Sequence, residues 1–131
     1  MKNDLLKELN PEQQKAVIHT DGPAIILAGA GSGKTRVLTY KVLYLILEKK
    51  VDPSNILMVT FTNKAAKEMR ERVLAFKVDG NPVELTSQPT ISTFHALCAR
   101  ILRTDGIHLG LTRSYTSYDT RVQLDAIKQA M

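Results

Sequence analysis

The chain has 131 residues, 44% of them hydrophobic and 24% charged, the proportions of a single soluble domain long enough to bury a core. One cysteine excludes an internal disulfide, and its neighbours show no metal-ligand spacing. The reading expects no leader peptide and no membrane span, since the one long apolar stretch, Val37 to Leu47, is broken by Thr39 and Lys41. A net charge of +5 hints at a polyanionic partner without naming one.

In chain order, Asn10-Pro11-Glu12-Gln13 reads as a helix start: Asn10 caps, Pro11 suits the first helical position, and Gln13 stands three residues past the cap. Val17 and Ile18 give this helix an apolar side, and Asp21-Gly22-Pro23 breaks it. Ala24 to Ala28 is a short apolar run suited to a buried parallel strand. A glycine-rich loop follows, and from Gly33 to about Lys49 the pattern predicts a helix apolar around most of its circumference, hence largely covered.

Asp52-Pro53 ends that helix, and Ile56 to Phe61 reads as a second strand before a helix from Asn63 to Ala75. Between Asn63 and Lys77 five basic residues (Lys64, Lys67, Arg70, Arg72, Lys77) face two acidic ones (Glu68, Glu71), in part a solvated face with local pairing. Val78 to Gln88 predicts an irregular connection or small hairpin. Thr90 to Ser92 predicts a third strand, and Phe94 to Arg103 a helix whose Cys98, at helical spacing with Phe94, Leu97 and Ile101, is expected in the core. Asp105 to Ser117 reads as loop, and a last helix starts near Asp119 or Thr120. Alternating strands and helices point to a parallel sheet covered on both faces.

The loop Ala28-Gly29-Ala30-Gly31-Ser32-Gly33-Lys34-Thr35 carries the chemistry. Backbone N–H groups of such a loop cradle phosphate oxygens, and glycines permit an approach that a Cβ would block. Lys34 supplies a point charge for the terminal phosphates, the Thr35 hydroxyl can ligate Mg²⁺, and the following helix adds its positive end. Ala28 replaces the glycine that usually opens this pattern. The pattern calls for a nucleoside triphosphate that brings Mg²⁺ with it.

Two more strand-to-helix junctions bear polar and aromatic groups. Thr60-Phe61-Thr62-Asn63 suits single-stranded nucleic acid, with a ring for stacking and hydroxyls for phosphate. It equally suits a core Phe61 and a helix-capping Asn63, and residue chemistry leaves both open. Ser92-Thr93-Phe94-His95 repeats the arrangement with a histidine that has no metal-spaced companion.

Leu9-Asn-Pro-Glu-Gln13, Ala28 to Thr35, Val59-Thr-Phe-Thr-Asn-Lys-Ala-Ala-Lys-Glu-Met69 and Ile91-Ser-Thr-Phe-His-Ala-Leu-Cys-Ala-Arg-Ile-Leu102 occur in that order. They resemble the Q motif and motifs I, Ia and Ib of superfamily 1 DNA helicases of the UvrD/Rep/PcrA type. The resemblance extends to Tyr118-Asp-Thr-Arg-Val-Gln-Leu124 and implies a P-loop NTPase fold of the α/β class. It implies an incomplete RecA-like domain over 1–104 and the start of an inserted helical subdomain over 105–131. It further implies that Gln13 reads the adenine edge and that Arg36 lies near base or ribose. Thr60, Phe61, Thr62 and Asn63 would belong to a single-strand track, and Thr93, Phe94 and His95 to a neighbouring DNA contact. Family members use ATP to walk 3′ to 5′ on one strand and open duplexes at single/double-strand junctions, closing a second RecA-like domain on the nucleotide. The expected setting is cytoplasmic repair and replication.

No apolar run ending in Asp-Glu follows Thr35; Val78-Asp79 has too short a lead, and Asp105, Asp119 and Asp125 follow no strand-like run. The expectation is therefore a fragment that holds nucleotide through half a site and does not hydrolyse it. An open sheet edge is expected to cause self-association. A small-molecule kinase, the helicase subunit of a recombination nuclease, and a non-catalytic single-strand-binding module are the competing readings.

Overall fold

A computed structural model describes residues 5–31, 33–78, 80–114 and 120–130, which divide into two compact units, 1–93 and 94–131.

The first unit opens with Leu5, Leu6 and Leu9, all buried, and continues into helix α1, Pro11–Ile18. The expected cap is present in full: Asn10 Oδ1 accepts from Gln13 N at 2.9 Å and Gln13 Oε1 accepts from Asn10 N at 3.1 Å. Gln14 Nε2 donates to the Leu6 and Leu9 carbonyls, fastening the preceding segment to α1. Helix α2, Lys34–Leu47, packs on α1 and buries Val37, Thr39, Tyr40, Val42, Leu43 and Tyr44, in keeping with its broad apolar surface. Lys41 Nζ, in the middle of α2, donates to the Ala16 and His19 carbonyls of α1 and its end.

Strand β1, Leu57–Thr60, is followed by helix α3, Asn63–Leu74, and then by a hairpin of β2, Lys77–Val78, with β3, Asn81–Pro82. Strand β4, Thr90–Thr93, lies parallel to β1, with Leu57 opposite Thr90 and Thr60 opposite Thr93. Helix α3 packs on both strands and on α2. Arg70 of α3 also donates to the Ile91 carbonyl at 2.6 Å, so this member of the basic run ties helix to strand. The fully buried side chains Val17, Leu43 and Val73 come one each from α1, α2 and α3, and Met58 and Ile91 extend that core into the strands.

The run Ala24 to Ala28 departs from expectation. Among the described residues it has no ladder partner, and Ile25 and Leu27 are 89% and 92% exposed. The described ladder pairs β1 only with β4, so the run adds no strand to it; Ile26, at 43% exposed, is partly covered.

The second unit holds helix α4, Phe94–Asp105, a 3-10 turn over Gly106–Leu109, and helix α5, Thr120–Ala130. The 3-10 turn falls where loop is expected. It closes on Gly110 at φ 77°, with Gly110 N bonded to Ile107 O and Leu111 N to Gly106 O, a glycine-dependent helix ending. No residue of α4 is buried, so Cys98 is exposed and the expected core position is not observed. The Asp119 alternative for the start of α5 lies outside the described residues, as does Tyr118. Among the described residues no helix is long and apolar enough to cross a membrane.

Candidate nucleotide site

The loop that leaves Ala28 turns through Gly31 at φ 75° and Gly33 at φ 80°, a region that costs an L side chain about 1–2 kcal/mol. Gly33 is also the N-cap of α2, and among the described residues no side chain caps that helix. Its first-turn N–H groups are therefore presented toward the loop, where the helix dipole favours an anion. Of the loop glycines, Gly33 is the crowded one: an added Cβ would stand 3.0 Å from Gln13 Nε2, while Gly29 and Gly31 have nothing within 4 Å.

Two cavities meet at this point. One, of about 440 Å³, is lined by Gln13, Ala16, Ile26, Ala28, Gly29 and Lys34 among others, and most of its wall is apolar. The other, of about 450 Å³, is lined by Ala30, Gly31, Gly33, Lys34, Thr35, Arg36 and Arg72. Lys34 borders both. The first suits a flat heterocycle, with the Gln13 amide at its rim; the second, with three cations and no Asp or Glu among its described lining residues, suits phosphates.

The predicted loop residues are thus gathered at one place, apart from Ser32, which lies outside the described residues. Gln13 stands beside the loop, and its carbonyl oxygen is engaged in the α1 cap. Arg36 lines the phosphate-side cavity rather than the Gln13 cavity, and its guanidinium is bonded to Glu8. Arg72 is the residue that sequence reasoning missed. Its place in the basic run marks it as a solvated charge, and only the packing of α3 on α2 brings it beside the loop.

Thr35 is half-buried in the first turn of α2, and its carbonyl accepts from the Thr39 hydroxyl at 2.9 Å. Among the described residues no group of three or more His, Cys, Asp or Glu could hold a metal ion. The donor set present is one hard hydroxyl oxygen, which fits a Mg²⁺ ion that arrives on the phosphates and keeps its waters. Bound there, the ion would screen phosphate charge while Thr35 orients it.

At the first junction Thr62, not Asn63, caps α3, its Oγ1 accepting from Ala65 N at 3.1 Å. Phe61 is 83% exposed, which removes the core reading of that ring. Thr60 ends β1, and Asn63 is exposed on the first turn of α3. At the second junction Thr93 is buried at the end of β4, while Phe94 and His95, the first residues of α4, are exposed.

Residues 9–131 match the model of the UvrD/REP helicase N-terminal domain. The chain is 53% identical over 126 residues to the ATP-dependent DNA helicase PcrA of Bacillus subtilis (strain 168), covering 96% of this chain and 16% of that protein. It is 50% identical over 129 residues to the ATP-dependent DNA helicase PcrA of Staphylococcus aureus (strain Mu50 / ATCC 700699), covering 98% of this chain and 17% of that protein. The same identity, length and coverage hold for a probable DNA helicase II homolog of Mycoplasma capricolum. The chain thus spans about a sixth of the length of these relatives. Matched over nearly all of its own length, it belongs to the UvrD/Rep helicase family, as part of that family's N-terminal domain.

Proposed function

We propose that this chain is the nucleotide-holding part of the first RecA-like motor domain of an ATP-dependent 3′–5′ DNA helicase. In this reading 1–104 belongs to the P-loop NTPase domain and 105–131 begins a helical subdomain. The carrying observation is the uncapped start of α2 at left-handed Gly33, beside Lys34, Thr35, Arg36 and Arg72. Gln13 and the apolar cavity take the adenine, the loop and its cations take the polyphosphate of ATP, and Thr35 takes Mg²⁺.

In the longer protein a second RecA-like domain closes on this nucleotide, and the cycle moves single-stranded DNA past Thr60, Phe61, Thr62 and Asn63, and past Thr93, Phe94 and His95. Work at single/double-strand junctions in cytoplasmic repair and replication belongs to the same reading. The 131-residue chain itself holds nucleotide without turning it over, because its sequence offers no paired acid to organise the attacking water. Steady ATP hydrolysis that disappears in Lys34→Ala would refute that point. The exposed Ile25 and Leu27 make this chain self-associate.

The direct test is a fluorescent ATP analogue titrated against the chain. ATP is expected to displace it far better than AMP, since the loop holds the terminal phosphates. Equal displacement by AMP would remove the phosphate-loop reading. A second reading, a non-catalytic single-strand-binding module, is favoured by the exposure of Phe61; it predicts DNA binding that ignores ATP.

A further inference from the structure

Helix α1 has 8 residues, too few to hold its place without outside contacts, and Lys41 of α2 grips its far end. Lys41 Nζ donates to the Ala16 carbonyl at 3.0 Å and to the carbonyl of His19, the residue that ends α1. Ala16 O is among the last four carbonyls of the helix, which find no donor within it, and a cation there also answers the negative end of the helix dipole. Lys41 is half-buried, and that burial lowers its pKa from the ordinary lysine value; the two carbonyls replace the water it gives up. Both ends of this contact belong to the nucleotide site. Ala16 stands one turn after Gln13, and the two line the same apolar cavity. Lys41 stands on the same side of α2 as Lys34, two turns further on.

We infer that Lys41 is a positioning residue for base recognition. By clamping the end of α1 to α2 it fixes the Gln13 amide relative to the phosphate loop, and so sets the preference of the site for adenine over guanine. The phosphates are held by the loop and first turn of α2, the helix that carries Lys41, and their grip does not pass through the clamp. The base edge is read from α1, where Gln13 is part of the cap, so the amide moves with the helix. An amide that accepts from N6 and donates to N7 fits adenine, whereas guanine presents an acceptor in place of that donor. A hydrogen bond weakens within a few tenths of an ångström, so a loosened α1 costs the base contact first. This inference rests on the proposed reading of Gln13 as the adenine contact.

The test titrates the 131-residue chain and its Lys41→Met, Lys41→Arg and Gln13→Ala variants with MgATP and MgGTP, reading Tm alongside. Methionine keeps an apolar stem and removes the donors. Lys41→Met is expected to lower the ratio of ATP to GTP affinity about three- to tenfold, the contribution of one neutral hydrogen bond, and Lys41→Arg to restore it. In a Gln13→Ala background Lys41→Met is expected to leave the ratio unchanged. Should Lys41→Met fail to fold, Lys41→Gln, which keeps a shorter donor, is expected to lower the ratio in the same sense. Where Gln13→Ala lowers the ratio, a Lys41 variant that leaves it unchanged, or weakens ATP and GTP equally along with Tm, would overturn this inference alone. A chain that does not prefer ATP to GTP, or keeps that preference in Gln13→Ala, would overturn the adenine reading, and this inference with it.

Discussion

The Gln13 side-chain nitrogen lies 3.0 Å from the point where a Cβ on Gly33 would stand. That proximity joins two local devices: the cap that starts α1 and the left-handed glycine that starts α2. Because α1 and α2 also pack along their lengths, the amide at the rim of one cavity and the loop of the other are held in one frame.

Gly33→Ala is therefore expected to act twice. The left-handed backbone costs alanine about 1–2 kcal/mol, and the new methyl group presses on Gln13. Chemical denaturation should show the stability loss, and ATP affinity should fall with it. Gly29→Ala, with open space and no left-handed φ, is expected to leave stability within about 0.5 kcal/mol. Equal losses in both variants would contradict the account.

Phe61→Ala is expected to separate stability from DNA binding. The ring is exposed, so unfolding should be nearly unchanged, whereas a lost base stack weakens single-strand affinity by about 1–3 kcal/mol. Fluorescence anisotropy with a labelled oligonucleotide reads the second effect. Unchanged affinity would remove Phe61 from the strand track.

Asp52 carries a pH prediction. It accepts from the Ser54 hydroxyl at 2.7 Å, the Ser54 backbone N–H at 2.8 Å and the Ser87 hydroxyl at 2.8 Å. These bonds, the Ser54 hydroxyl foremost, hold its carboxyl below the usual value. A depressed folded pKa means the unfolded chain binds the proton first as pH falls. The stability Asp52 contributes is thus complete above about pH 4, the ordinary Asp value, and fades as pH drops through the folded value. Asp52→Asn should lower Tm at neutral pH, with the gap closing under acid. A gap that stays constant down to pH 2 would contradict this.

Leu27→Lys tests the exposed apolar run. A lysine on an unpaired strand-like segment opposes edge-to-edge association, so the variant should elute as a monomer where the parent chain forms larger species. Light scattering reads both. Identical monomers in the two samples would show that the run does not drive association.

What the sequence makes legible is local. The Asn10–Gln13 cap, the glycines of the loop and the two runs that form β1 and β4 follow from spacing within a few residues or from short apolar runs. Contacts set by packing do not. Arg72 is one of five basic residues in its run until α3 docks on α2, and nothing in the spacing of Glu8, Arg36 and Tyr40 announces that they share one oxygen. Ala24 to Ala28 carries strand chemistry, but a strand needs a neighbour, and apolar composition cannot say whether one is paired with it. Cys98 fails for the same reason: helical spacing marks a face, and burial requires something to cover it.

The most direct measurement is calorimetric titration of the folded chain with MgATP beside its Lys34→Ala variant. The account predicts saturable binding that the substitution abolishes while leaving Tm unchanged, since Lys34 is exposed. Binding of equal strength in both, or none in a chain with a cooperative melt, would contradict a working phosphate loop in this chain.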